Sequence, residues 1–143
     1  MRTPEAAGDP LVLYWLSYGY YLAGRLTEAL DNAERGYKLA RGQGNRHATT
    51  LLANNLQLHA LLTLDEGRTR EYTRVMEEAS HLYDSTAYTF FLIAKGLLLS
   101  YQGRWKEVAK HAERWMAQTR LAGSYQMATA RFIWAVAQLN QCP

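Results

Sequence analysis

Residues 24–30 read GRLTEAL, and this short pattern decides the fold because it returns twice along the chain. Residues 67–73 read GRTREYT and residues 103–109 read GRWKEVA, at intervals of 43 and 36 residues. Each copy follows an apolar stretch and opens a more charged one. The glycine suits the left-handed turn that closes a helix, and the glutamate suits the positive end of the next helix. The pattern therefore predicts a chain of repeated helical hairpins.

The hydrophobic spacing between these markers predicts seven helices. Their expected bounds are 10–23, 26–41, 46–65, 68–82, 85–102, 105–121 and 124–141. Asp9 and Pro10 predict the N-cap and first residue of the first helix. With only 3 prolines and 10 glycines in 143 residues, helices are favoured over many short strands. We expect one all-α domain, residues 1–143, with hairpins at about 10–41, 46–82 and 85–121 and a terminal helix at 124–141.

The first hairpin resembles the tetratricopeptide repeat. Leu13 stands where that family usually has Trp, Leu16 and Ser17 stand for its Leu-Gly pair, and Tyr20 stands for its Tyr. Ala29 matches the alanine at the helix crossing. This resemblance implies a right-handed α-α solenoid of about three hairpins plus a C-terminal helix.

The other two hairpins extend this resemblance. Gly67 is expected to make the second hairpin's turn, and Ala60 and Gly96 are expected to take the small position that Ser17 takes in the first. The divergent repeats are similar to those of bacterial signal-transduction regulators of the LuxR type, including the maltose-regulon activator.

In tetratricopeptide arrays the first helix of each hairpin lines a concave groove, and helical spacing predicts the residues that face it. The predicted groove residues are Tyr14, Tyr18, Tyr21, Asn54, Gln57, Leu61, Phe90, Ile93, Leu97 and Tyr101. Rigid aromatic rings and side-chain amides suit an apolar peptide or helix. We therefore expect a protein-interaction scaffold, and the alternative is an effector-sensing fragment of a bacterial transcriptional regulator that binds a small molecule.

A second interpretation of the tyrosines stays open. Their stripe could pack on a missing N-terminal helix or on another copy of the chain, because the uncapped ends of solenoids often dimerise. The last helix raises the same question, since its apolar side chains cannot all be buried against one neighbour. These side chains are Phe132, Ile133, Trp134, Val136 and Leu139.

The sequence shows no catalytic motif, and we expect neither enzyme activity nor a cofactor. The histidines lack the spacing of metal ligands, and the single cysteine, Cys142, has no intrachain partner. The formal net charge is +3, and basic and acidic residues are interspersed along the chain. This distribution makes nucleic acid an unlikely ligand. No apolar run approaches the length of a signal peptide or a membrane span. We therefore expect a cytoplasmic protein without membrane contact.

Overall fold

The computed structural model describes residues 8–80, 85–118 and 124–142, with side chains at 8–79, 92–117 and 127–142. Among these residues helices are joined by short turns and no strand occurs, which confirms the all-α class and the seven predicted helices. The helices are α1 (Pro10–Leu22), α2 (Leu26–Gly42), α3 (Arg46–Leu62), α4 (Glu66–Ser80), α5 (Ser85–Tyr101), α6 (Trp105–Gln118) and α7 (Ser124–Gln141). The predicted ends of the fourth and sixth helices, at 82 and 121, lie outside the described residues.

The chain divides into two compact units, Met1–Phe91 and Leu92–Pro143. In the first unit each helix packs against the next, from α1 to α4, and α1 also contacts α3. In the second unit α6 packs against α7. The ring of His111 in α6 also bonds to the Leu92 carbonyl oxygen in α5, at 2.8 Å.

The first helix begins as the sequence predicts. The Asp9 carboxylate accepts a hydrogen bond from the Leu11 backbone N–H at 2.8 Å, and Pro10 is the first helical residue. A proline suits this position because its missing N–H would have no partner in the first turn.

Several described helices end in the same kind of turn, in which one residue adopts a left-handed backbone conformation. These residues are Gly24 (φ 71°), Gly44 (66°), Leu64 (58°) and Gly103 (68°). The following N–H then bonds to the carbonyl five residues earlier, as Asp65 does to Ala60 at 2.8 Å. Along the chain these turn residues are therefore 20, 20 and 39 residues apart.

The prediction that Gly67 makes the second hairpin's turn is wrong. Leu64 makes that turn, α3 ends at Leu62 rather than 65, and Gly67 lies in the first turn of α4. Leu64 is exposed, and a leucine adopts the left-handed conformation at a cost of about 1–2 kcal/mol. Because leucine is not a helix-stop residue, the sequence does not mark this helix end.

The new register also changes the position of close helix approach. Ser17 and Gly96 lie seven residues before their turn residues, Gly24 and Gly103. Seven residues before Leu64 stands Gln57, whereas Ala60, expected at this position from the sequence, is buried four residues before Leu64. The second hairpin thus carries a long amide where the first and third carry a small residue.

The core of the first unit depends on small residues in α2. Ala29 and Ala33 are fully buried, and a Cβ at Gly36 would lie only 2.9 Å from both Leu13 Cβ and Leu52 Cδ2. The Ser17 hydroxyl donates to the Ala29 carbonyl at 2.8 Å. The small size of these α2 residues therefore lets α1 and α3 approach α2 closely.

The second unit is built around larger side chains. Trp115 and Val108 of α6 are fully buried, and Leu99, Ala109 and Ala137 complete the cluster around Val108. The amphipathic α6 thus supplies much of this core.

Candidate functional site

The outer surface of α1 carries an exposed apolar patch formed by Trp15, Tyr18 and Leu22, here called the α1 face. Their side chains are 63%, 40% and 73% exposed. These residues are spaced at i, i+3 and i+7, which places them on one side of the helix. Large apolar side chains grouped in this way commonly mark a binding surface.

A buried tyrosine supports the two exposed rings. Tyr14 is only 7% exposed and belongs to a core cluster with Ala40, Ala48, Leu51 and Leu52. Its ring meets Trp15 edge-on with centroids 4.9 Å apart, and stacks on Tyr18 at 6.4 Å. Burial, with a smaller contribution from Tyr18, raises the pKa of the Tyr14 hydroxyl. Tyr14 therefore anchors the α1 face from beneath and offers little surface to a ligand.

Tyr21 lies in the seam between α1 and α3 instead of on the α1 face. Its ring centroid is 6.2 Å from that of His59, and burial raises the pKa of its hydroxyl. Nearby, Asn55 Nδ2 donates to the Tyr14 carbonyl oxygen at 3.3 Å and ties the two helices together. The predicted tyrosine stripe therefore splits, with Tyr18 exposed and Tyr14 and Tyr21 directed into the packing.

The same seam holds buried polar atoms without a hydrogen-bond partner among the described residues. They are Tyr21 Oη, Asn55 Oδ1 and His59 Nδ1. Asn55 and His59 are one helical turn apart, so their two atoms lie along a single strip of α3, and Tyr21 Oη reaches the seam from α1. Such atoms usually find a partner in ordered water, so the seam is where we expect bound water.

The placement of Gln57 in a groove is wrong. Its side chain is 1% exposed, and Nε2 donates to Thr73 Oγ1 of α4 at 2.9 Å. The cause is the register described above, since the amide fills the position of close helix approach. Asn54 and Leu61 are half-buried on α3 and stay accessible in part.

The remaining predicted groove residues belong to α5. The side chain of Phe90 lies outside the described residues, whereas Ile93, Leu97 and Tyr101 are half-buried in the second unit. The ten predicted residues are thus divided between the two units. The described contacts join Tyr14, Tyr18 and Tyr21 to their neighbours within the first unit.

Sequence reasoning missed Trp15, the largest exposed side chain of the α1 face. The signal was present, because Leu11, Trp15, Tyr18 and Leu22 follow one another at spacings of 4, 3 and 4 residues. This spacing is typical of a helix that packs along another helix.

A second exposed apolar surface lies on α7. Phe132 and Leu139 are 69% and 75% exposed, whereas Ile133 is half-buried. Trp134 donates from Nε1 to Glu113 Oε1 at 3.1 Å. The prediction that the apolar residues of this helix cannot all be buried is confirmed.

An open pocket of about 400 Å³ lies among α2, α3 and α4 and is here called the α2–α4 pocket. Arg41 and Arg46 line it together with Tyr37, Thr50 and Glu78. The Arg41 guanidinium lies over the Tyr37 ring, 5.8 Å from its centroid. Neither arginine forms an ion pair with a carboxylate among the described residues.

Within the described residues, no three His, Cys, Asp or Glu side chains gather as metal ligands, and no helix has the length and apolar character needed to cross a membrane. Comparisons with protein-family models, curated proteins and solved structures find no match for this chain. Function is therefore inferred from the α1 face and the α2–α4 pocket.

Proposed function

We propose that this chain is a non-enzymatic protein-interaction scaffold whose α1 face binds an apolar helix or peptide. The exposure of Trp15 at 63%, on a ring cluster fixed from below by Tyr14, is the observation that carries this proposal. Aromatic side chains held in one orientation lose little entropy on binding, and they often supply most of the affinity of an interface.

The scaffold we propose is a solenoid of the tetratricopeptide type. Successive packing of α1 to α4 supports it, as does the contact of α1 with α3, the next helix but one. The regular spacing of the turn residues Gly24, Gly44 and Leu64 supports it as well. Repeats of this kind are common carriers of binding surfaces.

The composition of α1 indicates the chemistry of the partner. Residues 10–22 read PLVLYWLSYGYYL and include no charged side chain. A partner segment rich in aliphatic and aromatic residues fits this surface, whereas a charged segment would lose its hydration without gaining an ion pair.

Affinity capture from a lysate of the source cells tests the proposal. The full chain serves as bait beside the double variant Trp15→Ser/Tyr18→Ser and the control Phe132→Ser. Phe132 is as exposed as Trp15 but lies on α7, so Phe132→Ser removes an exposed aromatic ring outside the α1 face. We expect wild type and control to recover the same partner and the double variant to lose it. Equal recovery by all three baits would sink the proposal.

The α2–α4 pocket favours a second candidate function, the binding of a small acidic effector. Its volume of about 400 Å³ is within the range of small-molecule sites, and two arginines suit a carboxylate or phosphate group. Such a site fits an effector-sensing fragment of a transcriptional regulator.

Thermal-shift screening against small carboxylates and phosphate monoesters tests this second function. A true effector raises the melting temperature of wild type and of the control Arg35→Gln but fails to stabilise Arg41→Gln/Arg46→Gln. A shift that persists in the double variant would place the ligand elsewhere.

A further inference from the structure

The α1 face carries a projection and a notch one helical turn apart. Trp15 projects into solvent, whereas Gly19 leaves open space, since a Cβ there would meet no atom within 4 Å. Packing within the chain therefore does not require a glycine at this position. Glycine in the middle of an exposed helix costs about 1 kcal/mol relative to alanine. Both features become useful when another helix lies against α1.

The two features complement each other when two copies of α1 lie antiparallel. Positions 15 and 19 are centred on residue 17, so a two-fold axis at that level sets each Trp15 opposite the partner's Gly19. An interface between identical copies needs such self-complementarity, because each patch must supply both the projection and its notch.

The charge distribution of α1 is compatible with the same arrangement. The charges that flank the helix have partners within the chain, since the Asp9 carboxylate accepts from the Leu11 N–H and Arg25 pairs with Glu28. Between these ends the helix has no charge, and antiparallel helix dipoles attract each other. Neither like-charge repulsion nor desolvation of an unpaired charge opposes the contact along the helix.

We propose that the partner bound by the α1 face is a second copy of this chain, packed antiparallel so that each Trp15 fills the notch at Gly19 of the other copy. This inference rests on the proposed function and names its partner. Leu11, Tyr18 and Leu22 flank the Trp15 contact along the same stripe.

Sedimentation equilibrium of the full chain over a wide range of concentration tests the proposal. We expect wild type and the control Phe132→Ala to dimerise. We expect Trp15→Ala to dimerise roughly a thousandfold more weakly, since the symmetric dimer loses two aromatic anchors that are worth about thirtyfold each. Gly19→Trp fills the notch and is expected to be monomeric. Circular dichroism checks that each variant keeps its helices.

A mixture of the two variants gives the sharper test. In a mixed dimer the unchanged Gly19 of the Trp15→Ala chain receives the Trp15 of the other chain. The tryptophan introduced at position 19 of that chain then fills the space left at position 15. We therefore expect a one-to-one heterodimer that is tighter than the dimer of either variant alone.

Two outcomes would overturn the inference: a monomeric wild type at every concentration, or a dimer that persists in Gly19→Trp. If wild type is monomeric and yet captures a different protein through Trp15 and Tyr18, the dimer is refuted while the proposed function stands. If wild type dimerises through other surfaces and no capture depends on these two residues, both are refuted.

Discussion

Leu64 adopts the same left-handed backbone conformation at the end of α3 that Gly24 adopts at the end of α1, with φ of 58° and 71°. In both turns the next N–H bonds to the carbonyl five residues back, at 2.8 Å for Asp65 and 2.9 Å for Arg25. A side chain at this position costs about 1–2 kcal/mol, and Leu64 is 73% exposed.

Replacing Leu64 by glycine should therefore stabilise the protein. We expect Leu64→Gly to raise the free energy of unfolding by about 0.5–1 kcal/mol, because relief of strain exceeds the added freedom of the unfolded chain. Urea denaturation followed by circular dichroism measures this change. The matched control, Gly24→Ala, should shift the free energy in the opposite direction, and a loss of stability in Leu64→Gly would refute the account of this turn.

Two glycine-to-alanine substitutions in helices should have opposite effects. Gly36→Ala should lower the free energy of unfolding by about 1–3 kcal/mol, because its Cβ would meet Leu13 and Leu52 at 2.9 Å. Gly19→Ala should raise it by about 0.5–1 kcal/mol, because nothing lies within 4 Å and alanine favours helix. Urea denaturation at low protein concentration tests both, and the same sign for the two variants would contradict the packing described.

Gln57 should matter for stability and not for binding. Gln57→Ala removes the bond to Thr73 and opens a cavity, so we expect a loss of about 2–3 kcal/mol in the free energy of unfolding. Capture of a partner through the α1 face should be unchanged at temperatures where the variant is folded. Asn54→Ala, at a half-buried position on the same helix, is the control. If Gln57→Ala lost partner binding but kept its free energy of unfolding, Gln57 would belong to the ligand site.

His111 should make the protein less stable in acid. Burial, reinforced by the charges of Lys95 and Arg114, lowers its pKa below the ordinary 6.5, although its bond to the Leu92 carbonyl acts in the opposite sense. Since a carbonyl can only accept, Nε2 carries the hydrogen. The unfolded chain therefore binds a proton more readily, so stability falls as the pH drops below 6.5 and levels off once folded His111 is protonated.

Urea midpoints measured from about pH 8 to about pH 5, on either side of the ordinary histidine pKa, test this expectation. The decline should be smaller in His111→Gln than in wild type, whereas His47→Gln, at an exposed histidine, should retain it. Identical pH profiles for wild type and His111→Gln would refute the role of His111.

The sequence predicted the all-α class and every described helix because breakers and hydrophobic spacing are local signals. It failed at Leu64, which has no turn preference and yet adopts the left-handed conformation. Glycine is the residue type expected at such a turn, and Gly67 lies three residues further along the chain. That error of three residues moved Gln57 from the helix contact to the groove. Turn glycines are therefore a weak guide to register where tertiary packing imposes the turn.

The site was predictable only in part. Helical spacing placed Tyr14, Tyr18 and Tyr21 near one another, but the position of α3 decides which of them is buried, and that depends on packing between distant residues. Trp15 had a sequence signal in its spacing to Leu22. The interpretation of Leu13 and Leu16 as the packing positions directed attention to the tyrosines instead.

Ion pairs lie at the starts of α2, α4 and α6. Arg25 pairs with Glu28 and Arg104 with Glu107, but at α4 the order is reversed, with Asp65 before Arg68.

Arg68 Nη1 also lies 3.7 Å from Oε1 of Glu34 in α2. A helix with glutamate in place of Arg68 would bring like charges together there, a difference of roughly 1 kcal/mol at an exposed site. Similar hairpins in one nascent chain can exchange neighbours while they fold. The reversed pair thus favours α4 in the position beside Glu34 over a helix that carries glutamate at the place of Arg68.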